Sequence, residues 1–207
     1  MIVLQVSSEF LKIMRLKDLE SALQEIKLEQ YNTTSHLASR MVFTAHSNYD
    51  DIEGKIVADF GIGSNLLDSS HNVALDIDES AINIANKNIK AFDVEIDLVI
   101  TDLKLDPLDK YKKKIDTVIM NPPFGTKNNK GIDLIFLKKA IEISTTSVYS
   151  LHKSSTREHI IRKAKEWNVN CEVLAEMKFD VPKMYNFHKQ KSVDIEVDFL
   201  RFEIKEN

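Results

Sequence analysis

Segments with the pattern of buried strands alternate with segments of helical periodicity along most of this 207-residue chain. Ile56–Phe60 has the pattern of a buried strand that runs into a glycine turn. The alternation continues with strands near 72–76, 96–100, 116–120, 147–151 and 171–177, and with helices near 78–91, 132–144 and 155–167. Strands that alternate with helices predict an α/β fold, in which a mostly parallel sheet is covered by helices on both faces.

Both ends of the chain add to this plan. Residues 193–199 alternate apolar and acidic side chains, which predicts a half-exposed last strand antiparallel to its predecessor and a seven-stranded sheet in total. Helical spacing predicts one helix near 16–26 and a second that begins at Ser35, whereas the first six residues read as a loose terminus. We expect a single domain over 1–207, with a helical segment at 1–47 that contributes to a cofactor site and a sheet core at 55–204.

Composition and charge exclude some classes of protein. The chain is 43% hydrophobic and 29% charged, as in soluble globular proteins, and no stretch approaches the roughly 18 apolar residues of a membrane span. The single cysteine, Cys171, can form neither an intrachain disulfide nor a cysteine zinc site, and no histidine spacing predicts a metal site. Residues 1–109 carry 9 Lys/Arg and 19 Asp/Glu, whereas residues 110–207 carry 19 and 13, so the basic half permits a polyanionic partner.

The first candidate site is the glycine turn after the strand Ile56–Phe60. Ligands of parallel sheets bind at the carboxyl ends of the strands. There, Gly61 and Gly63 can adopt positive φ and let the backbone approach a ligand, and the Asp59 carboxylate can receive an ammonium group. A Gly-x-Gly alone is also common in ordinary strand-to-helix turns. Asp76, at the end of the next predicted strand, favours the ligand site because an acidic side chain there can accept hydrogen bonds from both hydroxyls of a ribose.

The strongest signal is the sequence Asn-Pro-Pro-Phe at 121–124, directly after the fourth predicted strand. The prolines Pro122 and Pro123 fix φ and remove two amide donors, so the turn is stiff. The Asn121 side-chain oxygen and the Pro122 carbonyl can accept both N–H bonds of an exocyclic amine, which is a poor nucleophile until it is held in place. Phe124 can stack on the face of a base. Positioning is therefore the expected catalytic device.

Several blocks of the sequence resemble the methyltransferase-like protein 5 family, and together they cover roughly residues 14–203; the blocks lie at 28–33, 50–53, 76–79, 116–131, 149–159 and 187–197. The resemblance implies a class I, Rossmann-like methyltransferase that uses S-adenosylmethionine. It also implies N6-methylation of an adenosine in small-subunit ribosomal RNA, a heterodimer with a small zinc-binding activator protein, and a location in the nucleus, nucleolus and cytoplasm, away from membranes.

The resemblance also assigns individual residues. It places six residues on the cofactor: Gln30, Thr33, Gly61, Ser64, Asp76 and Asp102. It places Asn121, Pro122, Pro123 and Phe124 around the acceptor base. Basic residues in the matching blocks are expected to meet RNA phosphates, which bind Lys and Arg without reading sequence: Lys127, Lys130, Lys153, Arg157, Lys189 and Lys191.

The chain departs from the family pattern at its first crossover. Residues 61–71 connect the first two strands, which is close to the lower limit of about 10–12 residues for a complete crossover with its helix. Residues 64–71 would form at most about 12 Å of α-helix, whereas a five-residue strand spans roughly 17 Å. We therefore expect a shortened or irregular connection in place of a full helix, a poorly covered sheet face and weaker cofactor binding.

Two other functions fit the same residues. A protein glutamine methyltransferase is one, because Asn-Pro-Pro beside an aromatic residue can orient a side-chain amide by the same hydrogen bonds. A non-catalytic RNA- or partner-binding module is the other, because the short crossover weakens the case for cofactor binding. The strands near 96–100 and 171–177 are expected at the two edges of the sheet, with a partner protein covering the first of them.

Overall fold

The computed structural model of the chain describes residues 2–4, 35–61, 64–66, 69–92, 95–124, 130–182 and 192–205. The helices in these ranges are α1 (Ser35–Ser47), α2 (Glu79–Phe92), α3 (Ile132–Ile143) and α4 (Arg157–Glu166). The strands are β1 (Ile2–Leu4), β2 (Ile56–Phe60), β3 (Ser64–Leu66), β4 (His71–Asp76), β5 (Asp97–Ile100), β6 (Ile115–Met120), β7 (Ser144–Lys153), β8 (Val169–Pro182) and β9 (Ser192–Ile204).

Seven of these strands form one sheet in the order β5-β4-β2-β6-β7-β9-β8. Neighbouring strands from β5 to β7 are parallel, and β9 is antiparallel to both β7 and β8. The sequence prediction of a mostly parallel seven-stranded sheet with an antiparallel last strand is confirmed. The predicted edge strands are also confirmed, because β5 and β8 are the outermost strands of the sheet.

Helices cover both faces of the sheet because side chains of each strand alternate between the faces. One face carries Val57 and Ile119 and packs against the buried side of α1, and α2 covers the same face through Ala74. The opposite face carries Ala58 and Val118 and packs against α3 and α4. No helix in the described ranges is both long and apolar enough to cross a membrane.

Local sequence explains the helix boundaries. At the start of α2, the Asp78 carboxylate accepts hydrogen bonds from the Ser80 amide (2.8 Å) and hydroxyl (2.6 Å), so Asp78 is the N-cap of the helix predicted near 78–91. Gly131 precedes α3 with φ +83°, a backbone conformation that L side chains rarely adopt, so a glycine is required where the chain turns into this helix.

The first crossover contains a short strand where a full helix could not fit. Ser64–Leu66 forms β3, which pairs in parallel with β1, and the described residues between β2 and β4 contain no helix. The expectation of an irregular connection is confirmed for these residues, but two linked interpretations were wrong. Residues 2–4 are not a loose terminus, because they form β1, and neither face of the first two predicted strands is poorly covered, because Val57, Ala58, Val73 and Ala74 are all buried.

The last strand differs from its prediction. The alternation in β9 had predicted a half-exposed strand, but residues 197–200 are all buried, because β9 lies between β7 and β8 and is covered on both faces. Asp198 is fully buried there and forms two hydrogen bonds with Arg157, at 2.6 and 2.7 Å. The ladder between β8 and β9 runs from Val169–Ile204 to Pro182–Ser192, beyond the end of β7 at the pair Lys153–Val197.

A buried polar network ties the segment before β2 to the middle of the sheet. The Tyr149 hydroxyl donates to Asp51 Oδ2 at 2.6 Å, and Arg201 Nε and Nη2 each lie 3.0 Å from the same oxygen. The Thr117 hydroxyl donates to the Asp51 carbonyl at 2.6 Å. Burial and the Asp51 carboxylate raise the pKa of Tyr149 far above its ordinary value, so this side chain remains a hydrogen-bond donor.

Candidate active site

The strand register gathers the predicted site residues at one edge of the sheet. Phe60 pairs with both Leu75 and Met120, and Met120 pairs with Ser150. These strands are parallel, so the residues that follow them meet at their shared carboxyl edge. This is the edge at which open α/β sheets bind ligands.

The glycine turn forms one half of the site. Gly61 has φ +88° and donates its amide to the Leu75 carbonyl at 2.9 Å, and, apart from its chain neighbours, no described residue has a heavy atom within 4 Å of the place where its Cβ would stand. Asp76 follows Leu75 directly, and its carbonyl accepts the Thr101 amide at 2.8 Å. Asp102 is the residue after Thr101. Three neighbouring strands therefore end next to one another with Gly61, Asp76 and Asp102, and the described residues leave open space beside the Cα atom of Gly61.

Asp76 is a half-buried carboxyl at the centre of this line. Burial raises the pKa of Asp76 above its ordinary value, although hydrogen bonds from the Asp78 and Ile77 amides oppose the shift. The Asp78 amide donates to Asp76 Oδ1 at 2.9 Å, which orients the carboxyl group. Ile77 is 62% exposed beside it, so the site offers an apolar surface next to an oriented acid. The sequence alone had not indicated Ile77.

A tight turn holds Asp102. Its Oδ1 accepts the Lys104 amide at 2.8 Å, and its carbonyl accepts the Leu105 and Asp106 amides, both at 2.9 Å. Asp106 also stabilises this turn. Its carboxylate accepts hydrogen bonds from the Thr101 hydroxyl at 2.7 Å and from the Leu108 amide at 2.8 Å. Those two hydrogen bonds, the Leu108 amide first, lower the pKa of Asp106.

The Asn-Pro-Pro-Phe segment forms the other half of the site, directly after β6. Asn121 and Phe124 are half-buried, Pro122 is buried and Pro123 is exposed. Phe124 packs against the apolar cluster beneath α1, and the Lys153 ammonium lies 5.9 Å from the centre of its ring. That separation is within the range of a cation–π contact. The structure therefore brings Lys153, predicted as a phosphate ligand, to the aromatic end of the segment.

The remaining predicted residues fall into three groups. Asp59 is 1% exposed in β2, on the face that α1 covers. Lys130 is exposed just before α3, whereas Arg157 forms ion pairs with Asp198 and Glu176 at 2.6 and 2.8 Å, so it has a structural role and its phosphate contact stays a prediction. Of Ser64 only the backbone is described, and six predicted residues lie outside the described ranges: Gln30, Thr33, Gly63, Lys127, Lys189 and Lys191.

Three polar side chains, those of Ser150, His152 and Asp133, form a hydrogen-bonded group that the sequence did not predict. His152 is fully buried; its Nε2 lies 2.9 Å from the Ser150 hydroxyl and its Nδ1 lies 3.3 Å from Asp133 Oδ2. Ser150 and His152 are two positions apart on one strand, a spacing that puts them on the same face. No local pattern connects them with Asp133, which lies in the first turn of α3.

Comparison with known proteins agrees with this geometry. Residues 37–147 match the family model described as "Methyltransferase small domain". The rRNA N(6)-adenosine-methyltransferase METTL5 of Danio rerio is 50% identical over 205 residues, which cover 91% of this chain and 99% of the relative. The rRNA N(6)-adenosine-methyltransferase Mettl5 of Drosophila melanogaster is 42% identical, with 92% and 97% covered.

Solved structures show the same fold. The crystal structure of PH1948 from Pyrococcus horikoshii has a TM-score of 0.75 and 31% identity, covering 92% of this chain and 98% of that one. A branched-chain polyamine synthase of Thermus thermophilus, solved with 5′-methylthioadenosine, has a TM-score of 0.68 over 91% of this chain and 63% of its own; at 15% identity it supports the fold alone. The chain therefore belongs to the methyltransferase small domain family and, within it, to the METTL5 family of rRNA N6-adenosine methyltransferases.

Proposed function

We propose that this protein transfers a methyl group from S-adenosylmethionine to N6 of an adenosine in small-subunit ribosomal RNA. The observation that carries the proposal is the position of Asn121, Pro122, Pro123 and Phe124 at the same sheet edge as Gly61 and Asp76. Gly61 and Asp76 would bind the methyl donor, and residues 121–124 would bind the acceptor amine. Transfer of a methyl group requires that donor and acceptor be held next to each other in this way. The names of the relatives support the choice of RNA adenine as the acceptor.

The residues of the glycine half fit S-adenosylmethionine. The open space above Gly61 admits a ligand close to the backbone, and the Asp76 carboxyl can accept hydrogen bonds from a ribose. Ile77 offers an exposed apolar surface for an adenine ring, and the Asp102 carboxylate, which also accepts the Lys104 amide, can accept a hydrogen bond from the adenine amino group. When bound, the cofactor supplies an electrophilic methyl group on a sulfonium.

The residues of the acceptor half fit an exocyclic amine. The amine of adenine is a weak nucleophile because its lone pair is delocalised into the ring. The Asn121 side-chain oxygen and the Pro122 carbonyl can accept its two N–H bonds, which directs the lone pair along one axis. The two prolines limit backbone motion in this segment, so the amine is held in line for attack without a strong base.

Phe124 is expected to hold the base by stacking. Replacing Phe124 by alanine should weaken acceptor RNA binding or turnover roughly tenfold, since stacking on an aromatic side chain contributes about 1–3 kcal/mol. Phe124→Tyr should keep most of the activity, and Phe124→Leu, which keeps apolar contact with the cluster beneath α1, should behave like the alanine variant. Methylation kinetics at matched thermal stability would measure this. Equal activity of Phe124→Leu and Phe124→Tyr would rule out stacking.

Basic side chains near the acceptor half support RNA binding. Lys153 lies beside Phe124, and Lys130 is exposed at the start of α3. Lysines at such positions bind phosphates without reading the base sequence. We include Lys127, Lys189 and Lys191 in the proposal on the family resemblance.

The edge strand β5 is the proposed docking place of a small zinc-binding activator protein. Ile100, at the end of this strand, is 56% exposed, and Leu105 in the following turn is 82% exposed. An outer strand has unpaired backbone groups that another chain can extend. Apolar side chains beside such an edge favour a stable protein partner over water.

Substitution of these apolar residues should separate partner binding from chemistry. The double variant Ile100→Glu/Leu105→Glu is expected to lose the activator and, with it, most of its stability in cells. Ile161→Glu, which changes a 40% exposed residue on the remote helix α4, serves as the matched control. Co-purification and size-exclusion chromatography would measure the complex. A chain that is monodisperse, stable and fully active without any other protein would rule out the partner.

The proposed reaction can be tested directly in cells. Mass spectrometry of small-subunit ribosomal RNA nucleosides should show less N6-methyladenosine when the protein is absent, and restoration by the wild-type protein. Unchanged N6-methyladenosine with altered methylglutamine in protein digests would favour the protein methyltransferase. Absence of S-adenosylmethionine binding in calorimetry would favour a non-catalytic module. We further propose that the protein works in the nucleus, nucleolus and cytoplasm, where a fluorescent fusion should be found.

A further inference from the structure

A group of three buried or nearly buried side chains lies between β7 and α3, on the face of the sheet that α3 covers. Ser150 and His152 are fully buried in β7, and the Asp133 side chain in α3 is 17% exposed. The His152 ring also packs edge-on against Phe202, with centres 6.3 Å apart. Every heteroatom of the imidazole therefore has a fixed neighbour.

Charge fixes the direction of the hydrogen bonds in this group. Burial alone would raise the pKa of Asp133, but the hydrogen bond with His152 and the amide of Leu134 at the helix start outweigh burial, and the net direction is down. An ionised carboxylate can only accept. His152 Nδ1 therefore donates to Asp133, and His152 Nε2 is in hydrogen-bond contact with the Ser150 hydroxyl, so the imidazole connects Ser150 to Asp133.

The same order of side chains occurs in enzymes that use serine as a nucleophile, but burial excludes that chemistry here. Ser150 has no exposed surface, so no substrate can reach its oxygen. The group must act through the elements that it connects.

Those elements are β6 and α3, both of which are bonded to β7. We call residues 121–131, which connect the end of β6 at Met120 to the start of α3 at Ile132, the acceptor segment. Met120 pairs with Ser150, so β7 holds the start of the segment through its backbone. His152 binds Asp133, two residues after Gly131, so β7 also holds the end of the segment, through a side chain.

We propose that His152, oriented by Ser150, is a positioning residue for methyl transfer, which sets the place of Asn121 and Phe124 by fixing the end of their segment through Asp133. The inference rests on the proposed function. Fixing both ends of a short segment removes conformations in which the acceptor amine is out of line, and a displacement of about 1 Å can cost about a hundredfold in rate. Lys153, the next residue of β7, contacts Phe124 from the same strand end.

The test compares four variants of the full chain, each with its activator if the wild type requires it. His152→Phe keeps the ring shape and removes both hydrogen bonds; we expect kcat to fall about tenfold to a hundredfold, with the Kd for S-adenosylmethionine unchanged within about twofold. His152→Asn has an amide at the position of Nδ1 and should recover a large part of kcat. Asp133→Ala should match His152→Phe. Tyr149→Phe is the control, because it removes a buried hydroxyl–carboxylate bond from the other face of the same strand.

Two readouts decide the matter. The proposal is overturned if His152→Phe and wild type have the same kcat, if His152→Asn is no better than His152→Phe, or if Tyr149→Phe loses as much kcat at the same loss of thermal stability. The second readout needs no activity: nitrogen-15 NMR should show the proton of His152 on Nδ1, and a proton on Nε2 alone would overturn the proposal. A wild type that binds cofactor yet methylates no RNA would refute the proposed function, and the NMR result would still decide the bonding of His152.

Discussion

Replacing Asn121 by alanine is expected to lower kcat for RNA methylation by about a hundredfold to a thousandfold, the usual loss when one preorganised hydrogen-bonding group is removed from a reacting centre. The fold should be retained, since Asn121 is half-buried and follows β6 without being part of it. Affinity for S-adenosylmethionine should change little, because Gly61, Asp76 and Asp102 lie on other strand ends. Single-turnover kinetics and calorimetric titration would measure the two effects separately.

A matched control is available on the opposite part of the sheet. Asn170→Ala removes the same side-chain amide from β8, where it bonds Glu203 at 2.9 Å on the surface. This variant should keep wild-type turnover. Turnover of Asn121→Ala comparable with that of Asn170→Ala would show that Asn121 does not touch the acceptor.

The largest expected effect on stability is at Arg201. Its guanidinium neutralises Asp51, whose side chain is 3% exposed, and Arg201→Leu would leave that carboxylate buried without its cation. Loss of one partner of a buried ion pair destabilises a protein by about 3–5 kcal/mol. Urea unfolding followed by circular dichroism would measure the change in the free energy of unfolding.

The double variant Asp51→Asn/Arg201→Leu tests the cause of that loss. Because the buried charge is then absent, it should be more stable than Arg201→Leu alone, even though it carries one more substitution. Glu203 also lies 3.7 Å from Arg201, but it is half-exposed, so Glu203→Gln should change stability by less than about 1 kcal/mol. A double variant less stable than Arg201→Leu would show that lost packing, and not lost charge, causes the destabilisation.

What could be predicted from the sequence was local. The sheet strands and the start of α2 after Asp78 follow from short patterns of apolar and turn residues. The prediction that Gly61 and Asp76 lie at one edge follows from the same patterns, because the carboxyl ends of parallel strands meet at the same edge of a sheet. The length of the first crossover could be used as well, because helix and strand rise per residue are fixed by backbone geometry.

What could not be predicted depends on pairs far apart in the chain. Arg201 and Asp51 are 150 positions apart, and β1 pairs with a segment about sixty residues later. The burial of β9 was mispredicted for a related reason. Alternation with acidic residues indicates an exposed face only if each acid meets water, and Asp198 meets Arg157 on α4.

The unequal lengths of the last three strands divide β9 into two parts. Residues 197–203 have a strand on each side, whereas residues 192–196 pair with β8 alone. A two-stranded ribbon is only marginally stable without a third strand or a packed face. Amide hydrogen exchange should therefore change abruptly near Val197, with slow exchange towards Ile204 and faster exchange towards Ser192. The fast part is at the carboxyl edge of the sheet, the same edge as the candidate active site, so the local stability of the sheet is expected to be lowest on that side.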